Sequence, residues 1–220
     1  MSPFTPQEEN KHVKKLLNLL KVEFDTEIIP VQVESYAKPL NCFPNVDEKV
    51  KRDGGKAHYG WAIHQTDLLC EAERHAVWES PNEDLIDITP REFVTENTMF
   101  VSDNNFIYTG QLVDNVRVNI TSNPVVDDFI KVCETLEKFY ALGERVDDES
   151  MSIPEPIAPY IENLENLKNG YLFFMNSGGT PRKSCFCGSP KAYKNCHGSE
   201  LKSIIAVDFS RLKKLIARKV

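Results

Sequence analysis

Nothing in this chain of 220 residues approaches the roughly 18 consecutive apolar residues that a membrane-spanning helix requires, and Met1-Ser2-Pro3-Phe4 does not begin a signal peptide. An even cysteine framework is also missing. Three of the six cysteines crowd between 185 and 196 and three stand singly at 42, 70 and 133. That distribution excludes a small secreted disulfide scaffold and leads us to expect a reducing, cytoplasmic environment. No Gly-x-x-x-x-Gly-Lys-Ser/Thr loop follows a strand, so the commonest phosphate cradle is excluded, and Lys51-Arg52-Asp53-Gly54-Gly55-Lys56 reads as a connection. Internal repeats are absent.

Apolar and aromatic residues, at 41% and 10%, are those of a soluble globular protein, and the length suffices for one domain of about 150 residues with an appendage. Charge is unevenly spread. Residues 181–220 hold ten Lys and Arg against two acids, a net +8, so the remainder carries −15 of the total −7. An acidic body with a basic tail can meet phosphate, an acidic protein surface or itself, and composition does not choose among them.

Thr5-Pro6-Gln7-Glu8 has the form of a helix start, with a capping threonine, a first-turn proline and a closing glutamate, and Val13, Leu16, Leu17 and Leu20 follow as one stripe. Residues 24–33 read as an edge strand interrupted by Pro30. Asn41 is a plausible cap for a short helix that includes Pro44, Val46 and Val50, which puts Cys42 at a helix N-terminus, where backbone N–H groups and the macrodipole favour a thiolate. Lone cysteines are commonly buried packing residues, and Cys70 and Cys133 are read that way. Further strands are expected at 99–103, 106–109 and 111–120. Asn123-Pro124 opens a helix with apolar positions Val125, Val126, Phe129, Ile130, Cys133, Leu136 and Tyr140, ending at Gly143.

The centre of this pattern is a three-stranded meander over 59–65, 68–79 and 85–89, which holds both tryptophans. A turn near Pro81-Asn82 sets His75 opposite Asp87 or Thr89, and the strand period of two puts all three on one face. Glu71 and Glu73 share that face, either as solvated residues or, with His75, as a metal set. Cys70, Ala72, Arg74, Ala76 and Trp78 take the other face, where Trp78 is expected to be buried and Arg74 to sit at an edge or be paired. A histidine facing an aspartate is either a structural hydrogen bond or two members of a catalytic triad.

Cys42, then His75-Ala76-Val77-Trp78, then Asp87-Ile88-Thr89 together resemble the transglutaminase-like branch of the papain-type cysteine enzymes. The resemblance covers residues 40–90. It implies an α+β body, an antiparallel sheet with flanking helices, and a triad in which Cys42 attacks an amide or ester, His75 takes its proton and Asp87 orients the ring. Asn41 and Gln32 are the candidate oxyanion donors.

Cys185-Phe186-Cys187-Gly188-Ser189-Pro190-Lys191-Ala192-Tyr193-Lys194-Asn195-Cys196-His197 has the spacing C-x-C-x8-C-H. Three thiolates and an imidazole suit tetrahedral Zn²⁺, and four protein ligands leave no open position, so the ion is structural. The stretch closely resembles the SEC-C motif, a zinc knuckle at the C-terminal end of the SecA translocation ATPase and on many otherwise unrelated bacterial proteins; Pro190 replaces a glycine of that pattern. The resemblance implies contact through residues 181–220 with ribosome, nucleic acid or an acidic protein surface. The resulting organisation is an α+β body at 1–146, a linker with connecting elements at 147–180 that includes a helix and strand over 160–174, the knuckle at 181–200, and a basic amphipathic tail at 201–220. Two functions follow, a thiol-dependent acyl-transfer enzyme acting on a protein or amide substrate, or a non-enzymatic adaptor.

Overall fold

Asn10 caps the first helix of the described chain, which comprises residues 2–91, 93–147 and 150–216 of a computed structural model. Its side-chain oxygen accepts from the backbone N–H groups of His12 and Val13 at 2.9 and 3.1 Å, satisfying two donors that a helix start otherwise leaves unpaired. Helix α1 therefore spans Lys11–Leu20, and the start expected at Thr5 is corrected: Phe4 instead bridges to Gln65. Val13 and Leu16 are fully buried with Leu17 and Leu20 packed beside them, as their spacing requires.

Strand β1 (Thr26–Pro30), helix α2 (Cys42–Asp53), and strands β2 (Lys56–Gln65), β3 (Leu69–Glu79), β4 (Leu85–Ile86), β5 (Asn97–Ser102) and β6 (Val116–Asn119) follow. They make an antiparallel sheet of six strands in the order β1-β5-β2-β3-β4, with β6 also paired to β3. Pro30 closes β1 at its C-terminal end, a position that tolerates the missing donor. The α2–β2 connection needs its glycines: Gly55 has φ +77°, and a Cβ there would lie 2.2 Å from the Glu79 carbonyl oxygen. The strand expected over 106–109 is not formed, and that expected over 111–120 is limited to β6.

Each face of the sheet has its own character. Trp61, Ile63, Cys70, Ala72, Met99 and Val101 pack with α1, while Ala57, Tyr59, Ala76 and Trp78 pack with Cys42, Phe43 and Val46 of α2. Trp78 is only half-buried there, because its indole N–H reaches out to the Gly54 carbonyl at 2.9 Å. Arg74 lies on this face paired to Asp103 at 2.7 Å, its guanidinium 3.6 Å from the Trp61 ring centroid. The opposite face carries His58, His64, Glu73, His75 and Glu79, and the solvated surface expected for its glutamates is corrected below.

This sheet and its helices form one compact unit, Met1–Ile120 with Val146–Ser150; the other is Thr121–Arg145 with Met151–Val220. The second unit holds helix α3 (Pro124–Tyr140), the short strand pair β7 (Glu144–Arg145) and β8 (Met151–Ser152), helix α4 (Ala158–Asn176), a 3₁₀ turn at Tyr193–Asn195 and helix α5 (His197–Ile216). Asn123 caps α3 by accepting from Val125 N–H at 3.2 Å. The expected division at 146 falls elsewhere because the apolar stripe of α3 is satisfied by α4 and α5: Phe139 lies 5.9 Å from Tyr160 and 5.5 Å from Phe209, ring to ring. The expected linker likewise holds α4, a helix of 19 residues with no strand after it. Leu201 and Ile205 of α5 are buried, while the tail positions Leu212, Leu215 and Ile216 lie outside the residues whose side chains are described. Among the described residues no helix is long and apolar enough to cross a membrane.

Candidate functional site

His75 is fixed by strand register. It lies opposite Gly60 in β2, two positions from Glu73 and four from Glu71, and Glu71 in turn lies opposite His64. The period of two therefore sets His64, Glu71, Glu73 and His75 on one face. Strand β4 ends at Ile86, and the next residue, Asp87, is held by backbone bonds: its N–H donates to the Pro30 carbonyl at 3.0 Å and its carbonyl accepts from Gln32 N–H at 2.8 Å.

The Asp87 carboxylate is fully buried and surrounded by donors. His75 Nε2 lies 3.0 Å from Oδ1, which also accepts from Thr89 N–H at 3.1 Å; Oδ2 accepts from Thr98 Oγ1 at 2.8 Å and Arg91 Nη2 at 2.9 Å. Burial opposes the charge, but His75 and Arg91 outweigh it and hold the Asp87 carboxyl far below its usual range. An ionised carboxylate only accepts, so Nε2 of His75 carries the proton. The other nitrogen, Nδ1, is buried and makes no hydrogen bond. Burial by itself lowers the affinity of this ring for a second proton; Asp87, with Cys42 acting in the same direction, outweighs it and raises the pKa to about 10.

Arg91 joins this pair to a second one. Its Nη1 donates to Glu73 Oε2 at 2.6 Å and lies 3.1 Å from His64 Nε2, while Nη2 donates to Asp87 Oδ2 and lies 3.0 Å from His75 Nε2. Burial raises the Glu73 carboxyl, but contact with His64 and the charge of Arg91 prevail and bring it down to about 2. Glu71 accepts from Asn115 Nδ2 and pairs with Arg117, both at 2.8 Å. The glutamates, 25% and 28% exposed, thus belong to a mostly buried ion-pair network rather than to a solvated face. The alternative of a metal held by Glu71, Glu73 and His75 is corrected too: among the described residues these donors form no metal-sized group.

Cys42 is the first residue of α2, and Asn41 precedes it without a side-chain cap. Asn45 ties this helix start in place, since its Oδ1 accepts from Lys38 N–H at 2.9 Å and its Nδ2 donates to the Lys38 carbonyl at 2.8 Å and to Thr89 Oγ1 at 3.2 Å. Cys42 is buried against Ala76 and Ile88, the face opposite to that of His75. On the outer edge of β3, strand β6 pairs only with 69–72 and β4 only with 78–79. Cys42 and His75 both line one cavity of about 240 Å³, whose wall also includes His64, Glu71, Glu73, Thr89, Arg91 and Asn115. Pro39, Leu40, Pro90 and Phe93 add apolar surface to it. No hydrogen bond links Cys42 to the His75 ring, and neither Gln32 nor Asn41 is in the lining. Among the described residues, five buried side-chain polar atoms lack a hydrogen bond, and three of them, His64 Nδ1, His75 Nδ1 and Arg91 Nε, belong to residues of this one cavity.

In the second unit, Cys185, Cys187, Cys196 and His197 bring their ligand atoms within 4.8 Å of one another. Cys185 Sγ lies 3.2 Å and Cys196 Sγ 3.6 Å from His197 Nδ1, and Cys187 Sγ is 3.7 Å from Cys196 Sγ. Gly188 makes the turn between the pairs at φ +79°, and the Ser184–Ala192 bridge closes its base. This Cys₃His cluster can hold a metal ion such as zinc, and its donors fit that ion in number and softness.

Comparison of the chain with family models, with curated proteins and with solved structures finds no match. Its chemistry is therefore read from the geometry. The sequence singled out Cys42, His75, Asp87 and the four donors at 185–197 as candidates, but not His64 or Arg91, which line the same cavity as Cys42 and His75. A signal existed for His64, which the hairpin register puts across from Glu71; Arg91 lies in a loop with no periodicity to reveal it.

Proposed function

We propose that the first unit is a thiol-dependent acyl-transfer enzyme of the transglutaminase-like or papain type, in which Cys42 is the nucleophile, His75 the general base and Asp87 the group that orients it. The observation that carries this reading is the free Nδ1 of His75 in the same cavity as Cys42, with Nε2 engaged by Asp87. With its pKa raised to about 10, the His75 ring holds the thiol proton on Nδ1 at neutral pH before substrate arrives; Sγ then bonds to the carbonyl carbon of an amide or ester, and the ring gives that proton to the departing nitrogen or oxygen. A thioester remains, which water or a second nucleophile opens. Catalytic hydrogen bonds that tighten only with substrate are common, so a separated Cys–His pair suits the free enzyme.

The C-terminal cluster is assigned a structural zinc of the SEC-C type, since four protein ligands leave no site for substrate. Residues 181–220, with their net +8, are assigned the contact role toward ribosome, nucleic acid or an acidic protein surface. Co-sedimentation with ribosomes that is lost in 0.5 M salt or on deleting 181–220 is the expected result on the order of such electrostatic contacts.

The deciding experiment is iodoacetamide alkylation at neutral pH. Cys70 is the internal control, a thiol that burial pushes up to about 12. Cys42 is expected to react much faster than Cys70 and to lose that advantage in His75→Ala. Equal rates, indifferent to His75, would sink the enzyme reading in favour of an adaptor.

A further inference from the structure

His64 and His75 line the same cavity but differ in the partners of Nε2. At His75, Nε2 lies 3.0 Å from both Asp87 Oδ1 and Arg91 Nη2, and the buried carboxylate, which only accepts, keeps a hydrogen on Nε2. At His64 the partner of Nε2 is Arg91 Nη1 at 3.1 Å, and a guanidinium only donates, so Nε2 must offer its lone pair. The contact from His64 Nε2 to Glu73 is longer, 3.5 Å, and the Arg91 contact is the one at hydrogen-bond distance. His64 is nine-tenths buried, and burial lowers its pKa, which keeps the ring neutral. Its hydrogen therefore resides on Nδ1, and that N–H is buried with no acceptor. A buried donor left without a partner is destabilising, so one kept on a residue that lines a cavity calls for an acceptor from outside the chain.

We infer that His64 is a catalytic residue whose Nδ1–H receives the acyl oxygen of the substrate, supplying the oxyanion donor that neither Gln32 nor Asn41 provides. This rests on the acyl-transfer reading above. When Cys42 Sγ bonds to the carbonyl carbon, the carbonyl π pair moves onto oxygen, and the His64 N–H stabilises that charge without giving up its proton. Collapse restores the carbonyl and expels the leaving group, which takes its proton from His75.

Two reactions of Cys42 separate the roles. Displacement of iodide from iodoacetamide builds no oxyanion; acetylation by p-nitrophenyl acetate does. In His64→Leu the alkylation rate is expected to persist, which also certifies that the Cys42–His75 site is folded, while the burst of p-nitrophenolate slows by about 100-fold, the usual cost of one oxyanion donor. His64→Asn, which keeps an N–H near the same place, is expected to recover part of that loss. If Cys42 is reactive in the wild type and His64→Leu is acetylated at the wild-type rate, or if both reactions slow equally in His64→Leu and in His64→Asn, the assignment of His64 is overturned and the acyl-transfer reading stands. If Cys42 of the wild type is no more reactive than Cys70, the acyl-transfer reading itself fails, and this assignment with it.

Discussion

In the first unit Arg91, Asp87, Glu73 and His75 neutralise one another inside the fold, whereas in the second the three thiols and imidazole of 185–197 converge with no countercharge of their own. One cluster is satisfied by the chain, apart from the unpaired nitrogens His64 Nδ1, His75 Nδ1 and Arg91 Nε. The other can hold a metal ion. Self-satisfied networks are costly to break at any single member, because each removal strands a buried charge, while a metal cluster fails as a whole when the ion leaves.

The largest effect expected from this contrast is at the knuckle. Cys196→Ser, or a strong chelator, should remove the bound metal and open 181–200 to proteolysis at Lys183, Lys191 and Lys194, leaving Cys42 alkylation unchanged; a variant that keeps stoichiometric metal by elemental analysis would break the comparison. Next comes Arg91→Leu, which leaves Asp87 and Glu73 without their shared cation. A destabilisation of about 3–5 kcal/mol in urea unfolding is expected, and a loss below about 1 kcal/mol would mean the network contributes little.

The pH dependence sharpens the picture at both ends. Glu73, held down to about 2 against an ordinary value of 4.5, contributes stability that is complete above pH 4.5 and is lost as pH falls toward 2. His75, raised to about 10 from 6.5, contributes stability that is complete below pH 6.5 and is lost as pH rises toward 10. Urea midpoints followed across pH should therefore decline on both sides, with Glu73→Gln flattening the acid limb and His75→Gln the alkaline one. Limbs unmoved by these substitutions would assign the titration to other groups. The smallest effect lies beside the metal cluster. The Tyr193 hydroxyl donates to Asp128 Oδ2 at 2.5 Å and meets the Tyr171 hydroxyl at 2.7 Å, so Tyr193→Phe should cost about 1–3 kcal/mol without loss of metal. Metal loss in that variant would make these hydroxyls part of the metal site's support.

Legibility followed chain distance. The four thiol and imidazole donors lie in one stretch from Cys185 to His197, so their spacing alone points to a cluster that can hold a metal. His75 and Asp87 were readable because they flank a tight turn, and the turn sets which residues oppose one another. The stripe of α3 identified a helix but not its partner: the same periodicity serves packing on a sheet or on α4, and only the presence of α4 in the segment taken for a linker decided it. Glu71 and Glu73 read as solvated because alternation reports which face a residue takes, not what covers that face.

By itself, then, the amino-acid sequence determined the α+β class, the helix start at Cys42, the His75–Asp87 pairing and the Cys₃His cluster, all of them consequences of local period, turn chemistry or short ligand spacing. The tertiary structure decided that Arg91 joins two histidine–carboxylate pairs, that His64 and His75 share a cavity with Cys42, and that α3 belongs with α4 and α5. Those outcomes depend on contacts between segments far apart in the chain, whose proximity is set by the summed packing of the sheet and helices and is written in no single stretch of residues.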